Sequence, residues 1–374
     1  MSGRPKHEII HEELAGAIAS GVLAPGAQVP TEAELVKRYK SSRPTVTRVM
    51  QRLVLEGLVE RRAGAGTFVR RGAGTGRAKL FGLLIPGLGE TEIFEQICGQ
   101  MARDAQTLHY TLLWGDASGS GHGPAGDRVV ALAHDYVARH VAGVFFAPLE
   151  STPDKGAVNA AVIDTLAAAQ IPVVLLDRDL ARSPERSPYD LVAIDHRRAS
   201  HLLTSHLLEQ GHRQIAFVAR PLSAPTVALR IAGYREALRE AGIEPTPKSV
   251  HFGDPGDPMF VRQILKAEAA RTFVCANDAT AAQLMHTLDE LGIVVPEDAC
   301  VAGFDDVRYA NLLRVPLTTI HQPCRALGTA AVQAMTERLA NPGMPAREIL
   351  LDVKLAVRRS TSLPRRGKPA GTRR

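Results

Sequence analysis

The chain has 374 residues and a formal net charge of +6. That length supports one small and one large domain, the latter bilobed. No apolar run approaches the roughly 18 residues that a membrane-spanning helix needs, the polar helical start does not read as an export signal, and four scattered cysteines lack metal or redox spacing, which suits a reducing compartment. The charge is segregated. Residues 1–79 carry 14 Lys+Arg against 7 Asp+Glu, residues 80–357 carry 24 against 32, and residues 358–374 carry 7 against none. A basic module of this kind neutralises phosphates.

In chain order, Ile9, Ile10, Leu14, Ala17 and Ile18 define a first amphipathic helix. His7-Glu8-Ile9-Ile10-His11 inside it matches a zinc-protease signature, but only six residues precede it and no third ligand follows, so a core helix is the expected role. Thr31 and Glu34 form a capping box that opens a second helix, with Leu35 and Val36 inward. Ser41-Ser42 ends it, either serine can cap the next helix, and Pro44 suits a first turn. Val46, Val49, Leu53 and Gly57 then follow helical spacing and leave Arg43, Thr45, Thr47, Arg48 and Arg52 outward. Strands at 58–60 and 67–69 are expected to pair around Ala63-Gly64-Ala65-Gly66 as a wing.

Residues 6–71 resemble the winged helix-turn-helix of the GntR family of bacterial transcription regulators, through IASGVLAPGAQVPTEAELVKRY, SRPTVTRVMQRLVLEGLVERR and GAGTFV in order. The resemblance implies a homodimer that reads an inverted-repeat operator in double-stranded DNA. Candidate DNA contacts are Thr31, Ser42, Arg43, Thr45, Thr47, Arg48 and, at the wing tip, Gly64. The family commonly has Arg where Thr47 stands here, with Arg48 following. One residue is a turn of about 100° on a helix, which directs Arg48 to a phosphate rather than a base.

Residues 72–79 read as a Gly-rich linker, and the tail at 363–374 as basic and disordered. Between them, strands are expected at 80–86, 110–115, 143–148, 172–177, 191–195, 215–219, 272–276 and 300–305, alternating with helices, hence an α/β region with two parallel sheets. Ligands of such sheets bind beyond the carboxyl ends of the strands. Gly87-Leu88-Gly89 lacks the third glycine of a dinucleotide fingerprint, and neither a G-x-S-x-G elbow nor a P-loop occurs. The reading is therefore not an enzyme, with no cofactor, metal or membrane partner.

Residues 80–362 resemble the effector domain of the lactose/galactose repressor family, which is similar to periplasmic sugar-binding proteins. The segments IPVVLLDRD, FVCANDATAAQLMHTLDELGIVVPED and VAGFDDVRYANLLRVPLTTIHQP carry that likeness. It implies one lobe of about 80–189 plus 321–350 and another of about 190–320 plus 351–362, with Asp177, Arg230, Asn277, Asp305 and Gln322 as effector contacts. A carboxylate accepts two hydroxyl protons of a sugar while a guanidinium donates to their oxygens. The plainer alternatives are an interlobe ion pair for Arg230 with Asp305, helix capping for Asn277 and Asp278, a strand-end turn for Asp177 and a hinge hydrogen bond for Gln322. Phe94, Phe252 and Phe260 are candidates to stack on a sugar ring, with core packing as the alternative. The resulting expectation is a DNA-binding repressor in the cytoplasm, controlled by a carbohydrate. A purine or sugar-phosphate effector is the runner-up, and a solute-binding receptor is the reading outside that class.

Overall fold

In the computed structural model, the described residues are 5–19, 22–24, 26–62, 65–70, 79–85, 92–115, 125–150, 152–268 and 271–362. The chain divides into two compact units near Lys79. Among the described residues no helix is long and apolar enough to cross a membrane.

The first unit holds α1 (Lys6–Ala19), α2 (Glu32–Tyr39), α3 (Arg43–Leu55) and the hairpin β1 (Val59–Arg62) and β2 (Gly66–Val69). Ile10, Leu14 and Ile18 recur on one face of α1 and pack with Leu35, Val46, Val49, Met50, Leu53, Val59 and Val69 into one core. The expected capping box is present: the Thr31 N–H donates to Glu34 Oε2 at 2.8 Å and the Glu34 N–H donates to Thr31 Oγ1 at 3.3 Å. Lys40 turns left-handed and ends α2. Ser42 occupies the N-cap of α3 but does not cap it through its side chain, because its hydroxyl pairs with Thr45 Oγ1 at 2.7 Å instead. The hairpin starts its return at Gly66, one residue earlier than expected, with Arg62 opposite Gly66 and Val59 opposite Val69. Gly66 has φ +117° and a Cβ there would sit 2.6 Å from Gln28 Nε2, so only glycine fits. Gly64 lies outside the described residues.

The second unit contains two sheets. In the larger, β13 (Glu348–Leu351), β7 (Asp190–Ile194), β6 (Val173–Leu176), β5 (Gly143–Phe146), β3 (Lys79–Leu84) and β4 (Tyr110–Trp114) lie in that order. Its strands β5, β6 and β7 are fully buried runs such as Val173–Leu176, as strands covered on both faces must be. Its helices are α4 (Glu92–Thr107), α5 (Ala125–Ala138), α6 (Lys155–Ala168) and α11 (Cys324–Ala340). The smaller sheet has the order β11 (Cys300–Ala302), β10 (Thr272–Cys275), β8 (Ile215–Ala219), β9 (Val250–Phe252), with α7 (His196–Glu209), α8 (Pro225–Glu240), α9 (Pro258–Glu268) and α10 (Asp278–Glu290). The α7 and α8 helices pack closely because residue 233 is glycine; a Cβ there would collide with the Arg197 carbonyl.

All eight expected strands are present. The crossover strand expected at Gln322 is β12 (Thr319–His321), which ends just before it; the short β9, β13 and β14 (Lys354–Ala356) are not among the expected strands, since runs of three or four residues carry little periodicity. One expected boundary moves. The resemblance implies a first lobe that ends at about 189, but β7 pairs with β6 through Leu175 opposite Leu191, so the chain leaves the larger sheet only after Ile194. It returns after β12, and it crosses a third time between β13 and β14, where β12 and β14 pair antiparallel.

Asp190 locks this arrangement. Its fully buried carboxylate accepts from Arg338 Nε of α11 at 3.0 Å and from the Arg347 N–H ahead of β13 at 2.8 Å. Removing one member of a buried ion pair strands the other charge. Asp190→Ala is therefore expected to lose about 3 kcal/mol of stability in urea unfolding; an unchanged midpoint would contradict this role.

Candidate functional site

Two sites emerge, one in each unit. In the first unit most arginines are neutralised: Arg38 by Glu13 at 2.5 Å, Arg52 by Glu56 at 2.8 Å, Arg61 by Glu32 at 2.6 Å and Arg62 by Glu60 at 2.7 Å. Arg43 and Arg48 on α3 are exposed and have no ion-pair partner among the described residues. Ser42 is exposed beside them. The Thr47 hydroxyl is turned inward and donates to Glu32 Oε2 at 2.9 Å, and the Thr31 hydroxyl belongs to the capping box. His11, from the protease-like motif, is 7% exposed and its Nε2 lies 2.5 Å from Glu56 Oε2, which ties α1 to the end of α3.

In the second unit, polar side chains gather where strands end. Glu150 follows β5, Asp177 follows β6, His196 follows β7, Asn277 follows β10, Asp305 follows β11 and Gln322 follows β12. Arg230 reaches in from α8 and is 5% exposed. It donates through Nε and Nη2 to His196 Nδ1, each at 3.3 Å, and through Nη1 to the Ala276 carbonyl. Its Nη2 lies 3.7 Å from Asp305 Oδ1, and its guanidinium carbon stands 3.7 Å from the centre of the Phe304 ring. Gln322 Nε2 donates to the same Asp305 oxygen at 2.8 Å. A cavity of about 660 Å³ opens on Asp177 and His196 between Lys155, Arg182 and Arg186 on one side and Thr226, Ala228 and Leu229 on the other. Across the lobes, Lys155 Nζ donates to the Leu222 and Ser223 carbonyls at 2.9 and 3.1 Å, and the Arg308 N–H donates to Glu92 Oε2 at 2.7 Å.

The donors from Arg230 require a lone pair on His196 Nδ1, so the ring proton sits on Nε2, which faces the Asp177 carbonyl at 3.2 Å and its Oδ1 at 3.5 Å. Burial pulls the His196 pKa down, and the imidazole is neutral. Burial alone would raise Asp177, but the His196 hydrogen bond and the Arg178 charge outweigh it and hold this carboxyl below its usual range. For Asp305 burial dominates over the Arg230 charge, and its pKa rises to about 6.

The expected contacts Asp177, Arg230, Asp305 and Gln322 thus come together. Asn277 lies near them, but its Oδ1 accepts from the Thr280 N–H at 2.8 Å and caps α10. Asp278 is not a cap. It is wholly buried and accepts from Thr319 Oγ1 at 2.6 Å and from the Val307 N–H at 3.0 Å. Phe94 does not offer an open face: it is 2% exposed and lies under the Arg178 guanidinium, 5.6 Å from its ring centre. Phe260 packs into the core of the smaller lobe, while Phe252 is exposed on the edge strand β9. Two residues escaped notice in the sequence. His196 could have been found from its place directly after a strand. Arg178 could have been found from the Asp-Arg pair at a strand end; it contacts Glu150 Oε1 at 2.8 Å, and its buried Nε has no hydrogen-bond partner among the described residues.

Comparison with known proteins agrees with both units. Residues 6–69 match the bacterial regulatory proteins of the gntR family, and residues 204–361 match the periplasmic binding protein-like domain. Over 370 residues the chain is 28% identical to the arabinose metabolism transcriptional repressor of Geobacillus stearothermophilus, covering 96% of this chain and 98% of that protein. A 175-residue stretch is 35% identical to the HTH-type transcriptional repressor PurR of Vibrio atlanticus (strain LGP32), covering 46% of this chain; the chain thus spans about half that relative, 51% of its length. The solved transcriptional regulator CelR–cellobiose complex shares the fold with a TM-score of 0.65 at 23% identity, over 96% of this chain and 100% of that one. A winged helix-turn-helix followed by a bilobed binding domain defines a transcription regulator. This chain joins a gntR-type DNA-binding domain to a periplasmic-binding-protein-like domain of the kind found in lactose-repressor-type regulators.

Asp278 supplies a measurable consequence. Burial, reinforced by the nearby Asp305 charge, pushes its pKa up to about 8. The folded chain therefore keeps a proton on Asp278 that an unfolded chain releases, so this residue lowers stability progressively as pH rises from about 4 towards 8. The melting temperature of wild type should fall across that range more steeply than that of Asp278→Asn. Parallel slopes would remove Asp278 as the cause.

Proposed function

We propose that the chain is a cytoplasmic, effector-controlled transcriptional repressor with a DNA-reading domain over 1–71, a linker at 72–79, an effector domain over 80–362 and a basic tail at 363–374. Two copies read an inverted repeat in double-stranded DNA, with Arg43 and Arg48 as the charged contacts and Ser42 and Thr45 beside them. Thr31 and Thr47 act through the cap and through Glu32 rather than on DNA. The observation that carries the DNA half is that Arg43 and Arg48 have no carboxylate partner among the described residues while Arg38, Arg52, Arg61 and Arg62 each have one.

The effector is a small neutral sugar bound between the lobes. Asp305 and Arg230 clamp vicinal hydroxyls, Gln322 and Asn277 position them, and Asp177 with Arg178 addresses the other side of the ring. The charge balance supports a neutral ligand over a phosphorylated one, because Arg178 already faces Glu150 and Asp177 while Arg230 faces Asp305. The named function of the relative that matches nearly end to end, arabinose metabolism, points the same way; the PurR relative matches less than half of this chain. Effector holds the lobes closed, with Lys155 and Glu92 closing the two rims, and closure lowers DNA affinity. A ligand shifts such an equilibrium only through its differential affinity, typically about 1–3 kcal/mol of coupling.

A thermal-shift screen of pentoses, hexoses, their phosphates and nucleobases tests the effector. A neutral sugar should raise the melting temperature of wild type and leave Arg230→Ala unmoved. Stabilisation by phosphates alone, or normal binding by Arg230→Ala, would overturn the assignment. For DNA, Arg43→Ala should weaken binding to a duplex selected by wild type by at least about tenfold, and a gel shift matching wild type would remove Arg43 from the interface.

A further inference from the structure

Glu32 stands where three elements of the first unit meet. It opens α2 directly after the Thr31 cap, where a carboxylate is favoured by the unpaired N–H groups of the helix start. Its two oxygens are used by two different elements. Oε2 accepts from Thr47 Oγ1 of α3 at 2.9 Å, and Oε1 accepts from Arg61 Nη2 of β1 at 2.6 Å. Arg61 sits in the hairpin opposite Thr67, one pair from the loop end of the ladder. A single side chain, 27% exposed, therefore connects the helix that carries Arg43 and Arg48 to the strand that carries the wing.

The neighbourhood is consistent with a geometric role. Thr47 faces Glu32 rather than outward, so α3 gives up one outward polar position to make this contact. Glu34, two residues on, is confined to the capping box and, among the described residues, bonds only to Thr31 through its side chain. The outer hairpin arginine, Arg62, is held differently, by Glu60 at 2.7 Å and over the Phe68 ring at 4.7 Å. The hairpin is thus stiffened within itself by Arg62 and referred to α3 through Arg61 and Glu32.

We propose that Glu32 is a positioning residue for DNA recognition: it fixes the wing relative to α3, so that the groove read by the helix and the groove approached by the wing are engaged at one set spacing. The inference rests on the DNA-reading function proposed above. Loss of the bridge lets the wing move while Arg43 and Arg48 keep their charge. Sequence preference then falls, but charge-driven affinity for any duplex does not.

The test uses the full-length chain and a randomised double-stranded DNA library. Wild type is taken through selection, and the enriched duplex and a scrambled duplex are then compared for wild type, Glu32→Ala, Thr47→Val and the double variant. Glu32→Ala should bind the enriched duplex about tenfold more weakly while holding or improving its grip on the scrambled one. Thr47→Val, which removes no charge, should reproduce much of that loss, and the double variant should be no worse than Glu32→Ala alone. Loss of preference at a single base position in Glu32→Ala, with Thr47→Val like wild type, would make Glu32 a direct base reader and overturn the proposal. A drop in melting temperature with the enriched sequence unchanged would make it merely structural, which also overturns it. Failure of wild type to enrich any sequence would instead overturn the DNA reading itself, and this inference with it.

Discussion

The second unit depends on the burial of one positive charge. Arg230 is 5% exposed, and a guanidinium cannot shed its proton to escape the cost of burial. Its surroundings are arranged to meet that cost: a neutral His196 presenting a lone pair, the Ala276 carbonyl, the Phe304 ring and the Asp305 carboxylate. These groups come from three strand ends: His196 beyond β7, Ala276 beyond β10, and Phe304 with Asp305 beyond β11. The convergence of strand termini in a doubly wound sheet is therefore what makes the cluster possible. Asp177, beyond the neighbouring strand β6 of the same sheet as β7, completes it by fixing the His196 tautomer. A ligand that enters meets groups already oriented and already charge-balanced, which favours hydroxyls over anions.

The first unit uses charge in the opposite way. Its carboxylates neutralise arginines that build the module and, among the described residues, leave Arg43 and Arg48 on α3 without a partner. Exposed ion pairs contribute little stability, commonly under about 1 kcal/mol, so the pairing matters more for where free charge remains than for how firmly the unit folds. Stability comes instead from the apolar stripe of α1 meeting α3, with Leu35, Val59 and Val69 closing the core.

Much of this was legible in the sequence because it is periodic or local. The Thr31–Glu34 box, the Val46–Val49–Leu53 stripe and the eight apolar strand runs each announce themselves within a few residues. The meeting of Arg230 with Asp305 was reachable because the strand-end rule points to Asp305 and the family resemblance points to both residues. What stayed hidden depends on partners far away in sequence. Thr47 looks outward by helical phase, and only the fold reveals that Glu32 turns it inward. Phe94 is apolar and follows a strand, yet Arg178 covers it. Ser42 has a capping residue's identity, but Thr45 holds its hydroxyl. The lobe boundary lies five residues later than the resemblance implies because the run Leu191–Ile194 of β7 is apolar and reads equally well in either sheet until its hydrogen bonds to β6 are seen.

The claim that joins the two units is energetic linkage between cleft and reading helix. It is tested most directly by measuring the affinity of the full-length chain for its selected duplex with and without a saturating sugar, and the affinity for that sugar with and without the duplex. The two ratios should agree and lie between about 5-fold and 150-fold, with sugar weakening DNA binding. Identical DNA affinity at saturating sugar would contradict a regulator of this design.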